Sequence, residues 1–213
     1  TMQVRKRNIA LEKAVNERTK SLKEAKTKLE EEVVQRKKAE EAIKEIAYYD
    51  HLTNLPNRRL FMELGNKELN YAERNNSLLA LVFIDLNKFK SINDSYGHDA
   101  GDVVLIEIAQ RLNYTLRKSD ISCRLGGDEF IVLLKDIQNR DGAITITQKL
   151  IRQIDQAIQI EEGVWVDVGD SIGISFYPAD DTDFEELITK ADAAMYEAKK
   201  VPNSHYFLYS DIS

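Results

Sequence analysis

Residues 124–134 read RLGGDEFIVLL. Two glycines and two carboxylates interrupt a segment that otherwise has the texture of buried strand, with Ile121 and Leu125 before them and Phe130, Ile131, Val132, Leu133 and Leu134 after. Glycine adopts the positive φ that a tight turn demands, so Gly126-Gly127 between two β-prone runs reads as a β-hairpin. A second reading adds chemistry to the same turn. Without a Cβ the backbone admits a phosphate closely, and adjacent carboxylates can hold a divalent cation against that phosphate. From these eleven residues both readings stay open.

Outward from the hairpin, helices and strands alternate. Leu78 to Leu86 is an apolar run containing Asp85 near its end, a candidate buried strand. Asp102 to Leu116 carries Leu105, Ile108, Leu112 and Leu116 at helical spacing. Pro56 suits the first turn of a helix running to about residue 75. Ile144 to Ile158 reads as a further helix, Val164 to Phe176 as a second strand pair, and Phe184 to Ala198 as an amphipathic helix. A closing strand is expected over Tyr206 to Tyr209. The pattern predicts an α/β fold, a sheet backed by helices.

Residues 1 to 49 differ in kind, having neither Gly nor Pro. Steps of three and four pass through Val4, Asn8, Leu11, Val15, Arg18, Leu22, Ala25, Leu29, Glu32, Arg36, Ala39, Ile43 and Ile46, nine of these thirteen apolar, so the heptad register never slips. The expected product is a coiled-coil rod of about 65 Å at 1.5 Å per residue, pairing two copies of the chain. Arg18, Glu32 and Arg36 weaken the seam; such polar interruptions either fix its register or leave two registers close in energy, as suits a signal-transmitting rod. A coiled-coil helix over 1–46 and a globular domain over 47–213 are the expected divisions.

Charge divides along the same line. The first 49 residues carry +4 and the remainder −10, which together make the net −6 of the chain. An acidic main domain disfavours a nucleic-acid template, because phosphate backbones need positive surface. Cys123 is the sole cysteine, so no internal disulfide can form and a reducing, cytoplasmic setting is expected, as in the cytoplasmic part of a larger sensor. No apolar run reaches about 18 residues, and no membrane partner is expected for this stretch of chain.

Four segments, DHLTNLPNRR (50–59), FIDLNKFKSINDSYGHDAGD (83–102), RLGGDEF (124–130) and DAAMYEAKK (192–200), together resemble the GGDEF family of diguanylate cyclases, which condense two GTP into cyclic di-GMP. The resemblance implies a palm-like sheet similar to that of nucleotidyl cyclases, preceded here by the long coiled-coil helix. It assigns metal binding (Mg²⁺, with Mn²⁺ as an alternative) to Asp85, the carbonyl of Leu86, Asp128 and Glu129. Asp128, Glu129 and Lys90 form the implied catalytic set, with Asp128 helping to take a 3′-hydroxyl proton and Lys90 on phosphate. Substrate binding falls to Phe89, Asn93, Asp102, Gly126, Gly127 and Lys199. Asn93 and Asp102 would read the guanine edge, although by themselves they read equally as a helix cap and a first-turn acid. Arg117 and Asp120, in Arg117-Lys118-Ser119-Asp120, match the family's RxxD inhibitory site for the product. Without the resemblance they are a helix-terminal Arg and a turn Asp. The implied partners are GTP, cyclic di-GMP and a second copy of the chain.

Three departures stand out. Asn87 replaces a usual Asp, Asn54 replaces a usual Gly, and Pro202-Asn203 stands where glycine and a basic residue are usual. The last pair would weaken nucleotide binding, since Pro202 lacks glycine's freedom and Asn203 lacks a cation. An active cyclase and a non-catalytic GGDEF domain that binds GTP or cyclic di-GMP therefore both remain open.

Overall fold

The structure is a computed structural model that describes residues 2–201 and 205–212. The chain divides into two compact units, Thr1–Ala47 and Tyr48–Ser213. The side chains of Val4 and Ile43, and the tail residues Pro202, Asn203 and Ser204, lie outside the described residues.

Helix α1 (Met2–Tyr48) accounts for the first unit in 47 unbroken residues. Its seam positions Leu11, Val15, Leu22, Leu29 and Ile46 are exposed at 64%, 54%, 72%, 61% and 81%. The ion pairs Lys20–Glu24 and Lys26–Glu30, at 4.0 and 3.8 Å, have the weaker orientation of an i,i+4 pair and add a few tenths of a kcal/mol each at most. The helix therefore presents an apolar stripe that its own side chains do not cover.

The second unit runs α2 (Arg58–Asn75), β1 (Leu78–Asn87), α3 (Phe89–Tyr96), α4 (His98–Thr115), β2 (Ile121–Gly126), β3 (Glu129–Ile137), α5 (Arg140–Ile154), β4 (Ile158–Glu161), β5 (Val164–Val166), β6 (Gly169–Tyr177), α6 (Phe184–Ala198) and β7 (His205–Leu208). Five strands form one sheet in the order β2-β3-β1-β6-β7, while β4 and β5 pair separately. The central β1 is antiparallel to β3 and β6, and β7 joins β6 in parallel. Both faces of β1 are buried. Val82, Ile84 and Leu86 point into a core with α3, α4 and α5; Leu79, Leu81 and Phe83 point into another with α2 and α6. Burial on both faces is why β1 and β3 read as continuous apolar runs rather than alternating ones.

Side chains fix the ends of these elements. Asn57 caps α2 by accepting from Leu60 N–H at 3.1 Å, so Pro56 lies ahead of the helix, not in its first turn, and forms an isolated bridge with Tyr49. Asn139 caps α5 at Gly142 N–H, which moves that helix to Arg140–Ile154 and releases Ile158 into β4. The expected pairing within Val164–Phe176 does not occur: β5 turns back onto β4, and β6 enters the main sheet beside β1. Helix α4 starts at His98, four residues earlier than its apolar spacing suggests. No helix among the described residues is long and apolar enough to cross a membrane.

Candidate active site

Strand β1 carries Asp85 to the end of the sheet where the Gly126-Gly127 turn closes. Both glycines have positive φ, 147° and 55°, the region in which a side chain is strained. Asp85 lies opposite Glu129 in the β1–β3 register, and Leu86 N–H donates to Asp128 O at 3.2 Å, so the strand end is tied to the turn. Asp85 is only 6% exposed. Burial pushes its carboxyl above the usual carboxylate range; the Lys199 ammonium, 2.8 Å from Oδ2, works against this, while Asp128 and Asp192 add to it. Glu129 is raised for the same reasons, by burial first and then by Asp85, Asp192 and Asp128. The carboxylates thus sit in one another's field.

Such a donor set is all oxygen and fits a hard divalent cation of the magnesium type, which bonds few protein carboxylates and takes its other ligands from water and phosphate. Among the described residues no three acids, histidines or cysteines are already gathered about one point. The protein's share of such a site is therefore partial, and nucleotide phosphate would complete it.

A second part of the site is built beside α3. Lys88 enters this helix with φ 65°, and no side chain caps its N-terminus among the described residues, so the amide N–H groups of its first turn remain available to an anion. Phe89 is buried and Lys90 is exposed in that turn. Asn93 stands within α3 rather than capping a helix, and its Oδ1 is buried with no hydrogen-bond partner among the described residues. Gly101 makes that placement physically possible: a Cβ there would collide with Asn93 Oδ1 and come within 3.2 Å of the Phe89 ring. Asp102, the next residue, is exposed in the second turn of α4, where Asp99 is the first-turn acid. A buried acceptor without a donor is costly, and a ligand N–H would relieve it.

Residues 47–205, well over half of the chain, match the family described as "Diguanylate cyclase, GGDEF domain". The chain belongs to the GGDEF-domain diguanylate cyclase family. It is 41% identical over 165 residues to the bifunctional diguanylate cyclase/cyclic di-GMP phosphodiesterase MucR of Pseudomonas aeruginosa, covering 78% of this chain and 24% of MucR. The GGDEF domain of TpbB (YfiN) from the same organism superposes with a TM-score of 0.74 at 40% identity, covering 76% of this chain and 94% of that one. The coiled coil and GGDEF domain of DgcB from Caulobacter crescentus, solved with c-di-GMP, gives a TM-score of 0.78 over 88% of this chain and 99% of that one; at 22% identity it shares the fold. The chain spans 22% to 35% of the length of the first relatives it matches.

Within this GGDEF domain the departures have structural counterparts. Asn87 Oδ1 accepts from Ser171 Oγ at 3.1 Å, so the amide is used in joining β1 to β6. Asn54 takes the left-handed φ of 56° that a glycine would otherwise supply. Pro202 and Asn203 lie outside the described residues. Arg117 is exposed just beyond α4, whereas Asp120 accepts from the backbone N–H of Arg117 at 3.0 Å and of Lys135 at 3.2 Å. Oδ2 therefore closes the turn, Oδ1 ties it to β3, and each oxygen keeps one lone pair for anything else.

One residue of the GGDEF hairpin escapes a reading by motif alone. Arg124 donates from Nε and Nη2 to Gly127 O at 3.1 and 2.9 Å, and from Nη1 to both oxygens of Asp50 at 3.0 and 3.1 Å. Its own N–H donates to Pro56 O at 3.1 Å. Burial would raise the Asp50 carboxyl, but donors from Thr53 and Arg124 outweigh it and hold the group below its ordinary value. The signal is present as an Arg two residues before the paired glycines and an Asp at the head of DHLTNLPNRR, yet 74 residues separate the partners.

Proposed function

We propose that this domain is a working diguanylate cyclase, joining two GTP into cyclic di-GMP with release of two pyrophosphates. The observation that carries the reading is the closure of the Gly126-Gly127 turn on the end of β1, which puts Asp85, Asp128 and Glu129 in one another's field, with Asp85 buried and its carboxyl raised by burial first and then by Asp128 and Asp192. In each of two equivalent steps a 3′-hydroxyl oxygen bonds to an α-phosphorus and the bond to the leaving pyrophosphate breaks. Asp128 stands to draw off the hydroxyl proton. When bound, Mg²⁺ or Mn²⁺ supplies positive charge to the phosphate oxygens, and Asp85, the Leu86 carbonyl, Asp128 and Glu129 are the groups to hold it. Gly126 and Gly127 let the hairpin backbone approach the triphosphate closely, and Lys90, Lys199 and the first turn of α3 bind its charges. Asn93 and Asp102 read guanine, whose edge offers N–H donors beside O6, next to the Phe89 ring.

One such site holds one GTP, so the attacking hydroxyl comes from a second domain. The uncovered stripe on α1 supports pairing of two chains, which raises the effective concentration of the second site. Arg117, with Asp120 shaping its turn, serves as the product-inhibition site, and the rod carries a sensor's signal in the cytoplasm, where GTP is found. The test is incubation with GTP and Mg²⁺ followed by chromatography for cyclic di-GMP. Product is expected from the wild type and none from Asp85→Ala or Asp128→Ala with folding retained. Binding of GTP or cyclic di-GMP without turnover would instead establish the receptor reading.

A further inference from the structure

Asp85 Oδ2 is already neutralised from within the protein. Lys199 Nζ lies 2.8 Å from it, with the lysine side chain 39% exposed and the aspartate side chain 9% exposed. The pair is thus unequal: the carboxylate is fixed in a central strand, while the ammonium ends a long stem open to solvent. Helix α6 determines where that stem begins. Gly173 lets the helix backbone press onto β6, since a Cβ there would strike Ala191 O and Met195 N, and Ala191, Ala194, Met195 and Ala198 are buried beneath it. Lys199 closes the helix with its N–H on Met195 O at 3.0 Å, so the anchor of the side chain is rigid and only its tip can travel. Lys200, the next residue, is occupied elsewhere: it pairs with Glu197 at 2.6 Å and lies over the Tyr196 ring at 5.0 Å.

We propose that Lys199 is an exchangeable internal counter-ion for Asp85. It holds the oxygen that a divalent cation would take, and it gives that oxygen up when nucleotide phosphate offers the ammonium a denser negative charge. One lysine then serves two anions in turn, and entry of the cation is coupled to entry of the nucleotide. The inference rests on the cyclase reading for the assignment of Asp85 as a metal ligand, and adds that cation and lysine compete for it.

The probe is Mn²⁺ alone, titrated into nucleotide-free protein and followed by electron paramagnetic resonance, for wild type, Lys199→Met, Lys200→Met and Asp85→Ala. Removing the competitor should tighten Mn²⁺ binding by up to about fivefold, the upper end for a partly exposed ion pair. Lys200→Met removes the same unit of charge from the neighbouring position and should bind Mn²⁺ like the wild type, while Asp85→Ala should lose the site. Guanosine 5′-(α,β-methylene)triphosphate should raise Mn²⁺ affinity by a smaller factor in Lys199→Met than in wild type, because no lysine remains to be drawn away. Lys199→Gln serves as the second variant should the methionine disturb folding. Equal or weaker Mn²⁺ binding by both Lys199 variants, in folded protein, would overturn the exchange and leave the cyclase reading standing. Absence of Mn²⁺ binding in every variant, with and without the analogue, would overturn the metal assignment and the exchange together.

Discussion

Arg124→Ala removes the single guanidinium that joins Asp50 to the active-site turn. The side chains of the pair are 11% and 16% exposed, so water only partly replaces what is lost. Removing one partner of a fully buried ion pair costs about 3–5 kcal/mol. Here Asp50 keeps the Thr53 N–H and Oγ–H donors at 2.9 and 2.6 Å, which moves the cost below that range. The carbonyl of Gly127 is on an exposed turn and recovers its donors from solvent. Together these place the loss at about 2–3 kcal/mol, or a fall in melting temperature of about 5–10 °C for a domain of this size. Freed from its clamp, the hairpin should misplace Asp128, lowering kcat about ten- to a hundredfold with little change in the KM for GTP. Arg124→Lys should recover little, because one ammonium cannot bridge a carboxylate and a carbonyl as a planar fork does. The pH dependence has a definite sign. Asp50 is held below its ordinary 3.8, so its contribution is fully present above that value and is lost as pH falls through the lower folded value. The gap in melting temperature between wild type and Asp50→Asn should therefore close only in strong acid. Thermal melts of the single and double variants, with initial rates of cyclic di-GMP formation, are the assay. An Arg124→Ala protein that melts and turns over like the wild type, or full additivity with Asp50→Asn, would refute the clamp.

Three further outcomes are expected. Gly101→Ala should push Asn93 and Phe89 out of place and raise the KM for GTP about tenfold or more while leaving the fold intact, read by steady-state kinetics and circular dichroism. Deleting residues 1–46 should make specific activity fall on dilution, because the second domain is no longer tethered, and a deletion that stays active at low concentration would exclude pairing through α1. Added cyclic di-GMP should slow the wild type non-competitively and Arg117→Ala much less; equal sensitivity would confine Arg117 and Asp120 to their turn.

Long, doubly buried elements are legible in the sequence itself. The apolar run of β1, the hairpin, and the helical spacing of α4 and α6 announce themselves because tertiary burial and local pattern agree. Helix α3 is invisible to such a reading: eight residues with Phe89 and Ile92 buried give too short a period, and its entry through a left-handed Lys88 follows no capping rule. Asn93 misleads for a related reason, since its residue type suits a cap and only the approach of Gly101 reveals a buried amide. At the site, Asp85, Asp128 and Glu129 are readable as types suited to a hard cation. Two contacts are not, because Arg124 to Asp50 and Lys199 to Asp85 join residues 74 and 114 positions apart. Charge pairs across such distances leave no periodic trace.

The turn after α1 matters to anyone who would re-wire this domain to another input. Tyr48 O accepts from Asn57 N–H at 2.9 Å, Tyr49 bridges Pro56, and Asp50 N–H reaches Leu55 O at 2.8 Å. By its hydrogen bonds this loop is part of the GGDEF domain, in keeping with the family segment DHLTNLPNRR that it carries. A chimera spliced ahead of Tyr48 inherits Asp50 and with it the fastening of the hairpin. One spliced at Arg58, where the next helix begins, brings the whole set of acids without the anchor that holds Gly127, and the graft should bind nucleotide yet turn over poorly. The natural module boundary therefore falls ten residues before the first helix of the domain.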